Sequence, residues 1–240
     1  MASANVLPSA AENVESFLDR NDGKPVVLVQ GLGFVGSVMS FVCANALHAE
    51  YAVIGLELAS EQGKQRVEAI NSGNLHISSS DPKVQQYFEQ AHQKGNLFAT
   101  CDPKTIKHAN VIIVDINLDV QKRSDPSVGL KDFDVDMGPF ERAMRSIGQH
   151  CKEDVLVIVE TTVPPGTCQR IVYPVLREEL SKRGLSADKV RLGHSYERVM
   201  PGPNYVDSIQ NFYRVYAGID DASADATEAF LRTVIKTDEY

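Results

Sequence analysis

The chain has 240 residues, 43% of them hydrophobic and 23% charged, with a formal net charge of −8. That is the balance of a soluble globular protein long enough to bury a sizeable core. The acidic excess argues against nucleic acid and anionic membrane as general partners, and no apolar run is long enough to span a bilayer.

Residues 1–20 lack a basic start and an apolar core, so they form no secretory signal. A short helix is expected around residues 12–18, and Asn21-Asp22-Gly23 reads as a turn. We assign residues 1–24 as an N-terminal extension and residues 25–240 as one domain. Residues 26–36 read Val-Val-Leu-Val-Gln-Gly-Leu-Gly-Phe-Val-Gly, an apolar strand running into Gly31, Gly33 and Gly36 in G-x-G-x-x-G spacing. Apolar residues then recur at helical spacing through residues 37–49. Strand, glycine turn and helix are the context in which this motif holds a dinucleotide. Gly31 makes the turn, Gly33 lets backbone approach a diphosphate, and Gly36 lets the helix pack close. The helix start, with Phe34 and Val35, turns N–H groups and the positive dipole end toward the phosphates. A second apolar run, residues 52–58, carries Glu57 about twenty residues after the last glycine. An acid there accepts hydrogen bonds from ribose hydroxyls and repels a 2′-phosphate, so the expected cofactor is NAD rather than NADP.

Further along, a helix is expected over residues 62–70 with Gly73 at its C-cap, and another from Asp81-Pro82 to about Lys94. Residues 97–100 and 111–114 are strands, and 103–108 a short helical segment. The polar stretch 117–137 reads as a long loop. A helix over 140–151, a strand over 155–160, a helix from Pro164-Pro165-Gly166-Thr167 to about Arg183, strands over 190–193 and 212–218 and a helix over 221–233 complete the chain. Alternation of this kind predicts an α/β, Rossmann-like, doubly wound and mainly parallel sheet with helices on both faces.

With these segments in order, the sequence resembles the UDP-glucose/GDP-mannose dehydrogenase family, in its N-terminal NAD-binding domain. The stretches that carry the resemblance are Gly31-Leu32-Gly33-Phe34-Val35-Gly36, Glu160-Thr161-Thr162-Val163-Pro164-Pro165-Gly166-Thr167 and Tyr196-Glu197-Arg198-Val199-Met200-Pro201-Gly202. The last looks most like the branch that oxidises UDP-N-acetylhexosamines. The resemblance implies oxidation of a nucleotide-sugar C6 alcohol to a carboxylate with two NAD. In the family a cysteine thiolate of a later domain carries the sugar as a thiohemiacetal and then a thioester. It implies that Glu197 serves as general base in thioester hydrolysis, and that Thr162 contacts the nicotinamide ribose or the diphosphate. It implies a UDP-sugar substrate, a homodimer in the full-length protein and a cytoplasmic location. The alternative kept open is a non-catalytic NAD-binding or assembly module.

Two departures stand out. Where the family carries Pro-Thr-Pro, this chain has Asp115-Ile116-Asn117. The Ile116 side chain cannot hydrogen-bond, which leaves Asn117 to take the polar role toward the catalytic water. Extra residues after Glu57 leave open whether Lys64 or Arg66 reaches the cofactor. None of Cys43, Cys101, Cys151 and Cys168 matches the family nucleophile. They form no C-x-x-C pair and read as free thiols in a reducing compartment. Cys168, beside an expected helix start, reads as packing rather than as an activated thiol. The six histidines show no ligand spacing, and Asp132, Asp134 and Asp136 lack the glycine and terminal Glu of a calcium loop, so no metal is expected. Tyr205, Tyr213 and Tyr216 are read as sheet packing or a domain interface.

Overall fold

The computed structural model describes residues 13–118, 135–196 and 202–236. Among these, seven strands form one sheet in the order β3-β2-β1-β4-β5-β6-β7. In chain order they are β1 Val26–Gln30, β2 Ala52–Leu56, β3 Leu97–Thr100, β4 Val111–Val114, β5 Leu156–Val159, β6 Arg191–His194 and β7 Ala217–Gly218. All neighbours pair in parallel except β7, which runs antiparallel to β6. The helices are α1 Val14–Arg20, α2 Phe34–Ala44, α3 Glu61–Asn71, α4 Pro82–Lys94, α5 Gly138–His150, α6 Tyr173–Lys182, α7 Tyr205–Asn211 and α8 Asp221–Val234.

The apolar strand runs are continuous because helices cover both sheet faces. Val27 and Val29 of β1 join the core beneath α2, α4, α7 and α8, while Val26 and Leu28 join the core beneath α5 and α6. After β3 the chain crosses to β4 on the other side of β1. That reversal opens a crevice at the carboxyl ends of β1 and β4, where open α/β sheets bind ligands.

The segment read as an extension packs from residue 13 onward. Asn13 caps α1 by accepting from Ser16 N, and Phe17 is fully buried and stacks on Phe98 of β3 at 5.4 Å. Asn21 donates to the Gly95 carbonyl at 2.9 Å.

The chain departs from the sequence-based elements in two places. The expected strand over 212–218 shrinks to Ala217–Gly218, and α7 precedes it. Val206 and Ile209 of α7 are buried with Tyr205, a helical rather than alternating pattern, so Tyr205 packs from a helix and not from a sheet. Asp81 secures α7: one carboxylate oxygen caps α4 and the other accepts from Val206 N at 2.8 Å. The expected long helix from Pro164 is also divided. Residues Cys168–Val172 wind with wider π spacing, and Tyr173 N donates to Cys168 O before α6 begins. Pro174 has no N–H for the usual i→i−4 ladder, which accounts for the irregular turn ahead of it.

Candidate dinucleotide site

The glycine turn is set by two close approaches. Gly31 has φ +99°, and its N–H donates to Leu56 O at 2.8 Å. A Cβ there would sit 2.4 Å from the Asp115 carbonyl oxygen, so the turn nests against the end of β4. A Cβ on Gly36 would sit 1.9 Å from the Gly31 oxygen, which brings α2 hard against the turn. Gly33 differs. It is the N-cap of α2, no side chain caps it, and nothing lies within 4 Å of where its Cβ would be. The first N–H groups of α2, at Phe34 and Val35, lack intrahelical acceptors and carry the positive end of the helix dipole. They open onto a cavity of about 1120 Å³, roomy enough for a dinucleotide.

Glu57 follows β2 at one end of this cavity. Its Oε2 accepts from Leu32 N at 3.0 Å and from Arg66 Nη1 at 3.0 Å, and its Oε1 accepts from Leu58 N at 2.8 Å. A carboxylate has about four acceptor sites, so one remains on Oε1 for a ribose hydroxyl. Arg66, and not Lys64, is among the residues that line the cavity. Leu58, Cys101 and Pro103 form a mainly apolar wall beyond the acid, suited to an adenine ring.

The opposite end is built by the ends of β4 and β5. Asn117 and Thr162 are exposed and line the cavity. Thr161 is buried; its Oγ1 receives Ile116 N at 2.9 Å and lies 3.1 Å from Val114 O and 3.0 Å from Ile116 O, so it fastens the two strand ends together. Glu197 lies outside the described residues, as do Asp132 and Asp134. The structure therefore brings together Gly31, Gly33, Phe34, Val35, Glu57, Asn117 and Thr162 at one crevice, with Gly36 packed behind them.

Sequence reasoning missed the floor of this end. The Glu160 side chain is fully buried; its Oε1 accepts from Arg214 Nη2 at 3.0 Å, and the Arg214 side chain is 2% exposed. Arg214 Nη1 also reaches the Tyr196 carbonyl at 3.4 Å. Burial pushes the Glu160 carboxyl up and Arg214 opposes that shift. Burial, with Glu160 and Asp115 nearby, pushes the Cys43 thiol up as well. The signal available in sequence was a lone arginine between aromatic residues, which carries no distinguishing spacing. Cys168 is also no activated thiol, because burial pushes it up to about 11.

An uncapped helix start behind a glycine turn, an acid at the end of the second strand and a topological switch between them define an NAD-binding Rossmann domain of the dehydrogenase type. The glycine cradle, open at Gly33, and the remaining acceptor on Glu57 fit the cofactor. The chain belongs to the UDP-glucose/GDP-mannose dehydrogenase family: residues 26–235 match the family's NAD binding domain. It is 28% identical over 210 residues to the UDP-N-acetyl-D-mannosamine dehydrogenase of Pyrococcus horikoshii, covering 88% of this chain and 45% of that protein. It is 28% identical over 162 residues to the GDP-mannose 6-dehydrogenase of Pseudomonas aeruginosa, covering 65% of this chain and 33% of the other. The crystal structure of NDP-N-acetyl-D-galactosaminuronic acid dehydrogenase from Methanosarcina mazei Go1 superposes with a TM-score of 0.77 at 25% identity, over 92% of this chain and 44% of that one. The chain thus spans about half the length of the curated relatives it matches.

Proposed function

We propose that this chain is the cofactor-binding part of an NAD-dependent nucleotide-sugar 6-dehydrogenase that acts on a UDP-N-acetylhexosamine. The observation that carries the reading is the crevice itself, with Gly33 open at the start of α2 and Glu57 fixed at its ribose end. The UDP-N-acetylmannosamine relative and the N-acetylgalactosaminuronic acid structure support the choice of sugar class. Bound with its nicotinamide at the β4–β5 end of the cavity, NAD would supply the hydride acceptor, two per sugar, for oxidation of the C6 alcohol to a carboxylate. The residues of this chain bind and orient the cofactor there: Glu57 holds the adenosine ribose, the start of α2 the diphosphate, and Thr162 the nicotinamide ribose or the diphosphate. Asn117 orients water for the hydrolytic step and Glu197 acts as its base. The sugar-binding site and the thiol that carries the sugar are expected from the part of the relatives' length that this chain does not cover, and a homodimer is expected of the complete protein.

Titrating the chain with NADH by fluorescence or calorimetry tests the cofactor reading; saturable binding with no turnover of UDP-sugars is expected. A folded chain that does not bind NADH overturns it. Full-length protein that binds NADH but oxidises no nucleotide sugar would favour the non-catalytic module instead.

A further inference from the structure

The peptide groups on either side of Leu32, in the middle of the glycine turn, are both held in place. On one side Leu32 N donates to Glu57 Oε2 at 3.0 Å. On the other, Leu32 O accepts from Ser37 Oγ at 3.0 Å and lies 3.2 Å from His76 Nε2. Ser37 Oγ and His76 Nε2 are themselves 2.9 Å apart. A hydroxyl has one proton to give, and Ser37 gives it to the carbonyl. The hydrogen between Ser37 and His76 therefore comes from the ring, which sets the Nε2–H tautomer. His76 Nδ1 is buried and has no partner among the described residues; in that tautomer it carries a lone pair, so no N–H is left unsatisfied there. His76 reaches the turn from the connection between α3 and α4, at the edge of a second cavity of about 410 Å³ that shares Gly33, Phe34, Gln62 and Arg66 with the first.

The consequence follows from peptide geometry. The carbonyl of Leu32 and the N–H of Gly33 belong to one planar trans unit and point in opposite directions. Holding that carbonyl toward Ser37 and His76 turns the Gly33 N–H away from them. Gly33 tolerates almost any backbone conformation, so without the hold this peptide could flip and offer an oxygen where the phosphates need a donor. We propose that His76, acting with Ser37, is a positioning residue for the cofactor diphosphate, locking the Leu32–Gly33 peptide in its donor-outward orientation. The proposal rests on the crevice being the NAD site.

NADH titration of the chain tests it, with His76→Ala, Ser37→Ala, the double variant and His76→Gln. His76→Ala and Ser37→Ala each weaken NADH binding about fivefold, the loss expected for one neutral hydrogen bond. The double variant loses less than the product of the two, because both act on one carbonyl. His76→Gln, which keeps an N–H donor at that reach, binds within about twofold of the parent. ADP-ribose, which retains the diphosphate, loses affinity in parallel with NADH, while adenosine, which has none, does not. Unchanged NADH affinity in His76→Ala, failure of His76→Gln to restore it, or equal loss for adenosine would overturn the proposal. A parent chain that binds no NADH would instead strike at the cofactor reading beneath it.

Discussion

Gly33 and Gly36 stand three positions apart and respond to a methyl group in opposite ways. At Gly36 a Cβ meets the Gly31 oxygen at 1.9 Å, so Gly36→Ala must move α2 or the turn. A loss of about 3 kcal/mol is expected, a fall in melting temperature on the order of 10 °C for a domain of this size. At Gly33 a Cβ meets nothing within 4 Å. Gly33→Ala therefore melts close to the parent but places its methyl in the proposed diphosphate site, and NADH binding is expected to drop by about a hundredfold, since overlap at a phosphate site removes several hydrogen bonds together. Glu57→Ala removes a ribose acceptor and the partner of Leu32 N, and about a thirtyfold loss in NADH affinity is expected from a charged hydrogen bond. Melting curves and fluorescence titrations check all three. These glycines and the acid were legible because spacing alone specifies them: each job needs one residue type at one offset. The partners that hold them were not. Arg66 was one of two candidates, and nothing in the local pattern marked His76 or Ser37, because their roles depend on a meeting across 39 residues of chain.

At the scale of elements, the segment after α7 shows why pattern reading stopped short. Phe212, Tyr213 and Val215 look like strand residues, yet they are 42%, 55% and 55% exposed, while Arg214 among them is buried. The alternation is inverted because the cation is drawn inward by Glu160 at the end of β5. No period in the sequence encodes that, since the partner lies 54 positions away. Arg214→Met removes one half of a buried pair and leaves the Glu160 carboxylate without its counter-charge. A loss of about 3–5 kcal/mol is expected, and the double variant Arg214→Met with Glu160→Leu recovers a good part of it. Chemical denaturation of the single and double variants measures the difference. By contrast, α2 to α5 and β1 to β5 were readable to within a few residues. Their caps are local: Ser60 accepts from Gly63 N, and Asp81 from Lys83 N. Their strands are apolar runs of β-branched residues that a sheet covered on both faces requires. α7 was missed because its seven residues start without a side-chain cap, whereas α1, equally short, is announced by Asn13.

Over the whole molecule, burial lowers the proton affinity of His76, His92, His108 and His194. An unfolded histidine titrates near 6.5. Between that value and the lowered folded values the unfolded chain binds more protons, so stability rises with pH across this window and is lost as the solution is acidified through it. The chain is expected to melt lower at pH 5.5 than at pH 7.5, at a pH still above the carboxylate range. His76→Gln and His194→Gln should flatten that dependence; a melting temperature that does not change between the two conditions would refute it.

The borders of the sheet have a consequence for how the chain behaves among its copies. On one margin, β7 offers two residues, too short a rail for a foreign strand to zip onto. On the other, Asn71 at the end of α3 occupies the outer edge of β3, donating to Ala99 O at 2.9 Å and accepting from Ala99 N at 2.8 Å. A parallel sheet with open flanks would be a template for fibrous stacking. This one is blunted on both sides, so concentrated solutions should resist seeded β-aggregation for as long as Asn71 holds the β3 edge.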